Sequence, residues 1–191
     1  SVVMYTVWPS CNCCLFGVTN SETTDITEDN DEYRKPEENI QVNAIPTTKI
    51  ISGGQTGIDR LGLEMGRELG LETGGTTTPG YYTENGPDTS LQDFGVTEID
   101  PELQAGRKGK EFYLPRTEQN VINSDGTVYF STDEDRGGRI ATQRFAKAHN
   151  KPFLLNPTSQ ELAQWLVDNN IGTLNVAGNR ALRCLLNLIP E

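Results

Sequence analysis

The residues best suited to chemistry in this sequence form a glycine-rich turn that could bind an anion. The turn, Ser52-Gly53-Gly54-Gln55-Thr56-Gly57, follows the apolar pair Ile50 and Ile51. After the turn, apolar residues recur with helical spacing at Ile58, Leu61, Met65 and Leu69. The pattern predicts a strand, a tight turn and a helix. Glycine has no Cβ, so a ligand can approach the backbone closely, and the unpaired amides and dipole at a helix start attract an anion.

The spacing of this turn decides which known phosphate-binding patterns it can match. It reads Gly-Gly-x-x-Gly, whereas the dinucleotide fingerprint is Gly-x-Gly-x-x-Gly, and the Gly-Lys-Ser/Thr of a P-loop does not follow. The turn therefore belongs to neither pattern. Two interpretations stay open at this point: an anion site, or glycines that only serve a tight connection between strand and helix.

Two more glycine-bearing loops stand between a predicted strand and a predicted helix. They are Gly137-Gly138-Arg139 and Gly178-Asn179-Arg180. Because ligands of open parallel sheets bind outside the carboxyl ends of the strands, we expect the three loops to meet at one edge. Each loop brings helix-opening amides, and two of them bring arginines that can donate paired hydrogen bonds to phosphate. This convergence favours a crevice for a phosphate-bearing small molecule over the purely structural interpretation.

Strands and helices alternate along the chain from residue 47 onward. We predict five short strands, at residues 49–51, 71–74, 127–131, 153–155 and 174–177. Such alternation is typical of an α/β fold whose parallel sheet is covered by helices on both faces. Residues 76–116 are rich in Gly, Pro and Thr, and we predict a long irregular region there, either a functional lid or a disordered segment.

A short helix is predicted to begin at Arg116 and to carry three polar candidates. Arg116, Glu118 and Asn120 could orient a sugar or a nucleobase by hydrogen bonds. They could equally lock the helix onto the sheet edge through a buried ion pair. The sequence leaves both roles open.

Three other ionisable residues have simpler interpretations. Asp59 stands in the first turn of a predicted helix, where it favours the helix dipole, so we assign it a structural role, whereas Arg60 stays a ligand candidate. His149 stands at a helix end, where we expect it to contact the terminal carbonyls. It is the only histidine in the chain, and no serine, cysteine or lysine is flanked by an obvious base. The sequence therefore predicts no catalytic residue.

The charge distribution separates the first 47 residues from the rest. The net charge is −11, and residues 1–47 contain eight acidic and two basic residues. The acidic run at residues 21–38 has few apolar residues to bury. We therefore predict residues 1–47 as a partly flexible acidic extension and residues 48–191 as the folded domain. No basic face of the kind that nucleic acids require is visible, which excludes nucleic-acid binding.

The cysteines and the apolar start of the chain bear on the compartment. Cys11, Cys13 and Cys14 stand together, Cys184 is distant, and a single histidine does not complete a metal site, so we predict no metal site and expect reduced thiols. The apolar run at residues 2–8 suits an edge strand or a patch on the main domain. It is too short to span a bilayer and lacks the features of a signal peptide. We therefore expect a cytoplasmic protein without a membrane span.

The ordered set of motifs resembles the molybdenum carrier family over about residues 48–181. The segments that carry the resemblance are KIISGGQTGIDR at 49–60, Gly74-Gly75, Pro79-Gly80, RTEQNV at 116–121, Ser124-Asp125, Gly137-Gly138, Lys151-Pro152 and LNVAG at 174–178. The family is similar in fold to molybdenum cofactor carrier proteins. It is more distantly similar to lysine-decarboxylase-like proteins, which include cytokinin-activating nucleotide hydrolases.

The resemblance implies a Rossmann-like domain whose glycine loops bind the phosphate of a small molecule, either the molybdenum cofactor (molybdopterin) or a nucleotide. The predicted ligand-binding set comprises Ser52, Gly53, Gly54, Gln55, Thr56, Gly57, Arg60, Arg116, Glu118, Asn120, Gly137, Gly138, Arg139, Gly178 and Arg180. Proteins of related fold often form dimers or tetramers, so a homo-oligomer is compatible with the resemblance.

The chain departs from the family pattern at two loops, and the first departure argues against the chemistry of the hydrolase relatives. The second loop usually reads Gly-Gly-Thr and leads to a glutamate in the helix, whereas here Arg139 follows the glycines and Arg144 stands where that glutamate is expected. In the hydrolase relatives, a glutamate in this region takes part in cleaving a glycosidic bond. The last loop has Asn179 where a proline is usual, which changes how Arg180 is presented.

We therefore expect a small-molecule binding protein rather than an enzyme. One alternative left open is a hydrolase or sensor that acts on nucleotides or phosphosugars, with Glu118 or Asp125 as the acid or base of the hydrolase. Another is an interaction module that recruits a partner through the acidic segment and the apolar N-terminus.

Overall fold

The structure, a computed structural model, describes residues 45–132 and 137–180 and the short strands β1 (Val3–Met4) and β2 (Val18–Thr19). β1 and β2 pair antiparallel in a two-stranded ribbon of their own. Of the run at residues 2–8, the structure describes Val3 and Met4, and these two residues pair with β2 and not with the main sheet. The four cysteines and the acidic run at residues 21–38 lie outside the described residues.

A six-stranded parallel sheet forms the centre of the fold. The strands that follow β2 are, in chain order, β3 (Lys49–Ile51), β4 (Glu72–Thr77), β5 (Tyr82–Thr83), β6 (Gly86–Pro87), β7 (Val96–Glu98), β8 (Gly126–Phe130), β9 (Phe153–Leu155) and β10 (Thr173–Gly178). All of them belong to the sheet except β5 and β6, which form a separate antiparallel hairpin. The central strands are rich in β-branched and aromatic residues, which pack well on a pleated surface.

The order of the strands predicts a crevice at one edge of the sheet. The order is β7-β4-β3-β10-β8-β9, and every neighbouring pair is parallel. From β3 the chain continues to β4 on one side, and from β8 it continues to β9 on the other, while β10 lies between β3 and β8. The loops after β3 and β8 therefore diverge above the carboxyl end of β10. Ligands of open α/β sheets bind at such a divergence.

Helices cover both faces of this sheet. They are α1 (Ile58–Glu68), α2 (Pro101–Gln104), α3 (Leu114–Ile122), α4 (Gly137–Ala148) and α5 (Ser159–Asp168). On one face, α1 and α5 pack on the strands through one apolar cluster: Ile50, Ile58, Val128, Phe130, Leu162, Leu166, Ile171, Leu174 and Val176. On the other face, α3 and α4 pack through Val121, Phe145, Ala146 and Phe153. The chain is thus an α/β protein with a Rossmann-like fold, and this prediction is confirmed. No helix within residues 45–132 and 137–180 has the length and apolar character needed to cross a bilayer.

The helix starts show why the loops matter for the fold. α5 begins with a capping box, in which Thr158 and Glu161 each bond the backbone amide of the other. α1 has no such cap, because it begins after Gly57 and no side chain bonds its first turn. Its start therefore depends on bonds from other loops.

The region predicted to be irregular, residues 76–116, contains regular structure. β4 extends to Thr77, beyond the predicted end at residue 74, and β7 adds a sixth strand at the edge of the sheet. The rest of the region consists of the β5-β6 hairpin, α2 and the short 3₁₀ segments Pro79–Tyr81, Thr89–Phe94 and Gly109–Tyr113. Sequence analysis missed β7 because only Val96 of its three residues is buried, so no apolar run marks it.

Candidate functional site

The loop that follows β3, residues 52–57, lies at the carboxyl edge of the sheet under an arginine of α3. A Cβ at Gly53 would stand 1.5 Å from Arg116 Nη1. Gly53 must therefore lack a side chain for the guanidinium to rest on the loop. The glycines predict that a ligand can approach the loop backbone closely. At Gly53, the group that does so is the guanidinium of Arg116.

Some of the amides at the start of α1 already have partners. Ile58 N donates to Asn179 O at 3.0 Å, and Arg60 N donates to Gln55 O at 3.1 Å. The amides of Gly53 and Gly57 donate to no acceptor within the described part of the chain. An anion at this edge would therefore be bound by the loop backbone more than by the first helical turn.

Asp59, in the first turn of α1, connects three parts of this edge. Its Oδ2 accepts from Gln55 N and from Arg116 Nη1, and its Oδ1 accepts from Gly178 N, each at 3.3 Å. The side chain is 4% exposed. Its structural role is therefore to hold two loops and α3 together.

Burial raises the pKa of the Asp59 carboxyl, although the positive charge of Arg116 and the amides of Gln55 and Gly178 lower it. All three donors lie at 3.3 Å, which is long for hydrogen bonds to a charged acceptor, so they do not compensate for the lost water. A buried carboxyl with a shifted pKa in a cleft is typical of functional sites.

Asn179 anchors the loop after β10. Its backbone N donates to Phe130 O at 3.0 Å, and its side-chain Nδ2 donates to Thr132 Oγ1 at 2.9 Å. Its carbonyl accepts the bond from Ile58 that opens α1. Proline, which is usual here in the family, has neither of the two donors. The departure therefore ties the loop to the end of β8 and places Arg180 next to it.

The β5-β6 hairpin lies over the loop 52–57, and we call residues 82–87 the covering hairpin. Gln55 Nε2 donates to Tyr82 O at 3.1 Å, and Thr56 Oγ1 donates to the Glu84 carboxylate. The side chains of Gln55 and Thr56, predicted as ligand contacts, thus hold the covering hairpin. The backbone of the loop and Gln55 Oε1 remain for a ligand.

Two arginines and an aromatic ring stand beside the covering hairpin. Arg180 Nε lies 3.5 Å from Glu84 Oε2. The guanidinium of Arg180 lies 5.0 Å from the centre of the Tyr113 ring, and that of Arg116 lies 5.9 Å from it. Both distances suit cation–π attraction. Tyr113 therefore brings together two cationic groups from α3 and from the loop after β10.

The second predicted loop contributes the start of α4. Gly137 and Gly138 are exposed in its first turn, where Gly138 O accepts from Thr142 Oγ1 at 2.9 Å. Arg139 is half-buried, and its Nε has no hydrogen-bond partner among the described residues. Residues 133–136, which precede this turn, lie outside the described residues.

Buried polar atoms without a partner occur repeatedly among the predicted ligand-binding residues. Within residues 45–132 and 137–180 they are Ser52 Oγ, Gln55 Oε1, Arg116 Nε and Arg139 Nε. Leaving a buried donor or acceptor unpaired costs roughly 1–3 kcal/mol, so each such atom calls for a partner. A polar ligand would supply these partners.

Arg60, also predicted as a ligand contact, is engaged elsewhere. Its Nε lies 2.9 Å from Glu64 Oε1, and its Nη1 donates to Ser90 Oγ at 2.9 Å and to Asp88 Oδ2 at 3.3 Å. Its guanidinium also lies 4.6 Å from the centre of the Phe94 ring. Arg60 thus attaches the segment around residues 88–94 to α1.

Glu118 and Asn120 contact partners outside the three loops. Glu118 Oε1 lies 2.9 Å from His149 Nε2. The side chain of His149 therefore pairs with Glu118 and not, as predicted, with the carbonyls at the helix end. Asn120 Nδ2 donates to Thr76 O and Asn120 Oδ1 accepts from Thr76 N, both at 2.8 Å. Both contacts correspond to the locking role, and the buried ion pair of α3 is the one between Arg116 and Asp59.

The acids named for a hydrolase do not meet at the carboxyl edge. Asp125 Oδ2 accepts from Gly172 N and Thr173 N, at the amino ends of β8 and β10, which is the opposite edge of the sheet. Glu118 is paired with His149. Among the described residues, the acids in contact with the glycine loops are Asp59 and Glu84.

Sequence analysis missed Glu84 and Tyr113 because both stand in the region predicted as irregular. One local signal could have placed Glu84. It precedes Asn85-Gly86, and an Asn-Gly pair is the strongest short-range signal of a hairpin turn. Tyr113 ends a 3₁₀ segment and carries no comparable signal.

Comparisons with known proteins agree with this architecture. Residues 50–185 match the model of the circularly permutated YpsA SLOG family. The chain is similar to a solved structure described as "Putative molybdenum carrier protein" from Syntrophus aciditrophicus SB, with 31% identity and a TM-score of 0.61 over 76% of this chain and 96% of that one. A search of curated proteins gave no match. The predicted resemblance is confirmed, and this chain belongs to the circularly permutated YpsA SLOG family.

Proposed function

We propose that this chain is a small-molecule binding protein that holds a phosphate-bearing ligand in the crevice above β10. The observation that carries the proposal is a pair of buried arginine donors, Arg116 Nε and Arg139 Nε, without partners among the described residues. A buried cationic donor is best satisfied by an anion, and arginine forks match the geometry of phosphate. The two donors come from α3 and α4, which pack against each other on one face of the sheet.

The backbone of the loop 52–57 supports the same proposal. The amides of Gly53 and Gly57 take no acceptor within the described residues. Backbone amides that converge in such a turn form a concave site for an anion. With a net charge of −11, the chain as a whole repels anions, so these local donors and arginines would have to provide the attraction.

The similar solved structure indicates the ligand to test first. It is described as a "Putative molybdenum carrier protein", and the phosphate of the molybdenum cofactor (molybdopterin) is an anion that the arginine and amide donors around the crevice would attract. Within the described residues, no group of three His, Cys, Asp or Glu side chains could hold a metal ion. A nucleotide phosphate would use the same donors and is the alternative ligand.

Thermal unfolding against a panel of ligands tests the proposal. The panel contains AMP, ADP, ADP-ribose, nicotinamide dinucleotides, molybdate and molybdopterin. A ligand that binds only the folded chain raises the unfolding midpoint. We expect molybdopterin to raise it. We also expect Arg139→Ala to weaken binding about tenfold or more, because it removes a hydrogen bond to a charged group.

Lys147→Ala is the matched control for this substitution. Lys147 lies on the same helix, is exposed and stands in its last turn, at the end away from the loops. Its removal changes the net charge equally without touching the loops, so we expect binding like that of the wild type. A rise in the unfolding midpoint with nucleotides alone would favour a nucleotide as the ligand. No shift with any phosphate-bearing compound would contradict the proposal.

A further inference from the structure

We infer that Glu84 is a specificity-determining residue that makes the crevice prefer a phosphate ester with hydrogen-bond donors, such as hydroxyl or N–H groups, over one without them. The inference rests on the proposed phosphate site and names the class of ligand that this site would take. It concerns the side of the crevice that is formed by the covering hairpin.

Glu84 stands between the first and the last glycine loop. Its carboxylate accepts from Thr56 Oγ1 in the loop after β3, and its Oε2 lies 3.5 Å from Arg180 Nε in the loop after β10. The side chain is 14% exposed. A phosphate held by these two loops would therefore have a fixed carboxylate as its neighbour.

A carboxylate in this place discriminates between kinds of ligand atom. Like charges repel, and the repulsion is stronger away from bulk water, so a phosphate oxygen next to Glu84 is disfavoured. An ionised carboxylate only accepts hydrogen bonds. The ligand atom beside Glu84 must then be a donor, and the hydroxyl group of a sugar is such a donor.

The acceptors around the covering hairpin are incompletely satisfied. Glu84 Oε2 is buried and accepts no hydrogen bond from the described residues, despite its ion pair with Arg180. Gln55 Oε1 is a second buried acceptor without a donor, on a residue 3% exposed whose Nε2 bonds Tyr82 O. Both groups touch the covering hairpin. Two acceptors beside one phosphate site match a pair of hydroxyl groups next to a phosphate.

The test compares two phosphate esters of equal charge. Ribose 5-phosphate and methyl phosphate are both dianions at pH 8 and differ in their hydroxyl groups. Dissociation constants from isothermal titration calorimetry give the preference of each protein variant. We expect wild type to prefer ribose 5-phosphate. We expect Glu84→Gln to reduce this preference about tenfold, because the variant loses a hydrogen bond to a charged acceptor. Methyl phosphate should bind the variant equally well or more tightly.

Glu72→Gln is the matched control. Glu72 is exposed at the amino edge of the sheet and lies 3.8 Å from Lys49 Nζ, so its replacement changes the net charge equally, away from the crevice. Glu84→Asp is a second variant. It keeps the charge, but its shorter side chain moves the carboxylate oxygens away from the ligand. If circular dichroism shows that Glu84→Gln is unfolded, Glu84→Asp must show the reduced preference for ribose 5-phosphate over methyl phosphate.

The outcomes separate this inference from the proposed function. A wild-type preference in both Glu84 variants would overturn the inference while the phosphate site stands. The inference also fails alone if neither ester binds wild type but the ligand panel above gives a shift. If no phosphate-bearing compound binds in either experiment, the inference and the proposed function fail together.

Discussion

Asp59 connects three parts of the crevice edge, so its protonation affects how firmly the loops are held. Because burial raises its folded-state pKa above 3.8, the folded chain binds this proton more tightly than the unfolded chain does. The contribution of Asp59 to stability is therefore largest below pH 3.8. It falls as the pH rises through the folded-state pKa, by up to about 1.4 kcal/mol per pH unit.

Urea unfolding of wild type and Asp59→Asn between pH 3 and pH 7 measures this effect. We expect the free energy of unfolding of wild type, relative to the variant, to decrease with rising pH over that interval. The variant lacks the titrating group and so provides the reference. An increase with pH would mean that Arg116 and the two amides outweigh burial.

Single residues also show how far the candidate site could be predicted from the sequence. The glycine turn and Arg116 were predicted as site residues from pattern and resemblance, and the structure brings Gly53 and Arg116 into contact. The partner of Thr56 could not be found in this way. Glu84 lies 28 positions further along the chain, and no periodicity links a loop residue to a short hairpin.

At the scale of elements, one buried amide bonds α3 directly to a strand of the sheet. Gly74 is the last residue of β4 that pairs with β3, and Thr76 lies beyond it. The side chain of Asn120 bonds the N–H and the C=O of Thr76. It thus takes the place of a neighbouring strand. Asn120→Ala leaves both backbone groups unpaired and buried. We expect it to lower the free energy of unfolding by about 2 kcal/mol or more.

Gln119→Ala is the comparison for this substitution. Gln119 neighbours Asn120, and its amide bonds Asn123 on the exposed side of the helix. Surface substitutions of this kind usually change stability by less than about 0.5 kcal/mol. If Asn120→Ala and Gln119→Ala unfold at the same urea concentration, the Asn120 bonds do not stabilise the attachment of α3 to the sheet.

Elements differ in how readily the sequence reveals them. The apolar runs that form β3, β8, β9 and β10 stand between clear turn signals, and each was predicted within about two residues. β7 and the covering hairpin were not predicted. Their strands are two or three residues long, and their position is set by contacts with β4 and with the loop 52–57 rather than by their own composition.

At the scale of the whole molecule, β10 joins the two halves of the sheet. It pairs with β3 on one side and with β8 on the other, and burying Leu174 and Val176 contributes roughly 3–6 kcal/mol. The net stability of a domain is only about 5–15 kcal/mol. We therefore expect a chain shortened by residues 172–191 to lose its cooperative unfolding transition, measured by circular dichroism during heating.

A chain that lacks residues 1–40 is the counterpart of this truncation. The family match begins at residue 50, so we expect this chain to keep a cooperative transition. A cooperative transition in the chain without β10 would mean that the two halves of the sheet can fold without their central strand.

The place of β10 in the order of strands also affects events during synthesis. Five strands of the sheet leave the ribosome before residues 173–178 do, and until then β3 and β8 each keep one unpaired edge. Unpaired strand edges associate readily with other chains. The nascent protein is therefore most exposed to aggregation just before its last strand emerges, and a chaperone that covers those two edges would act in that interval.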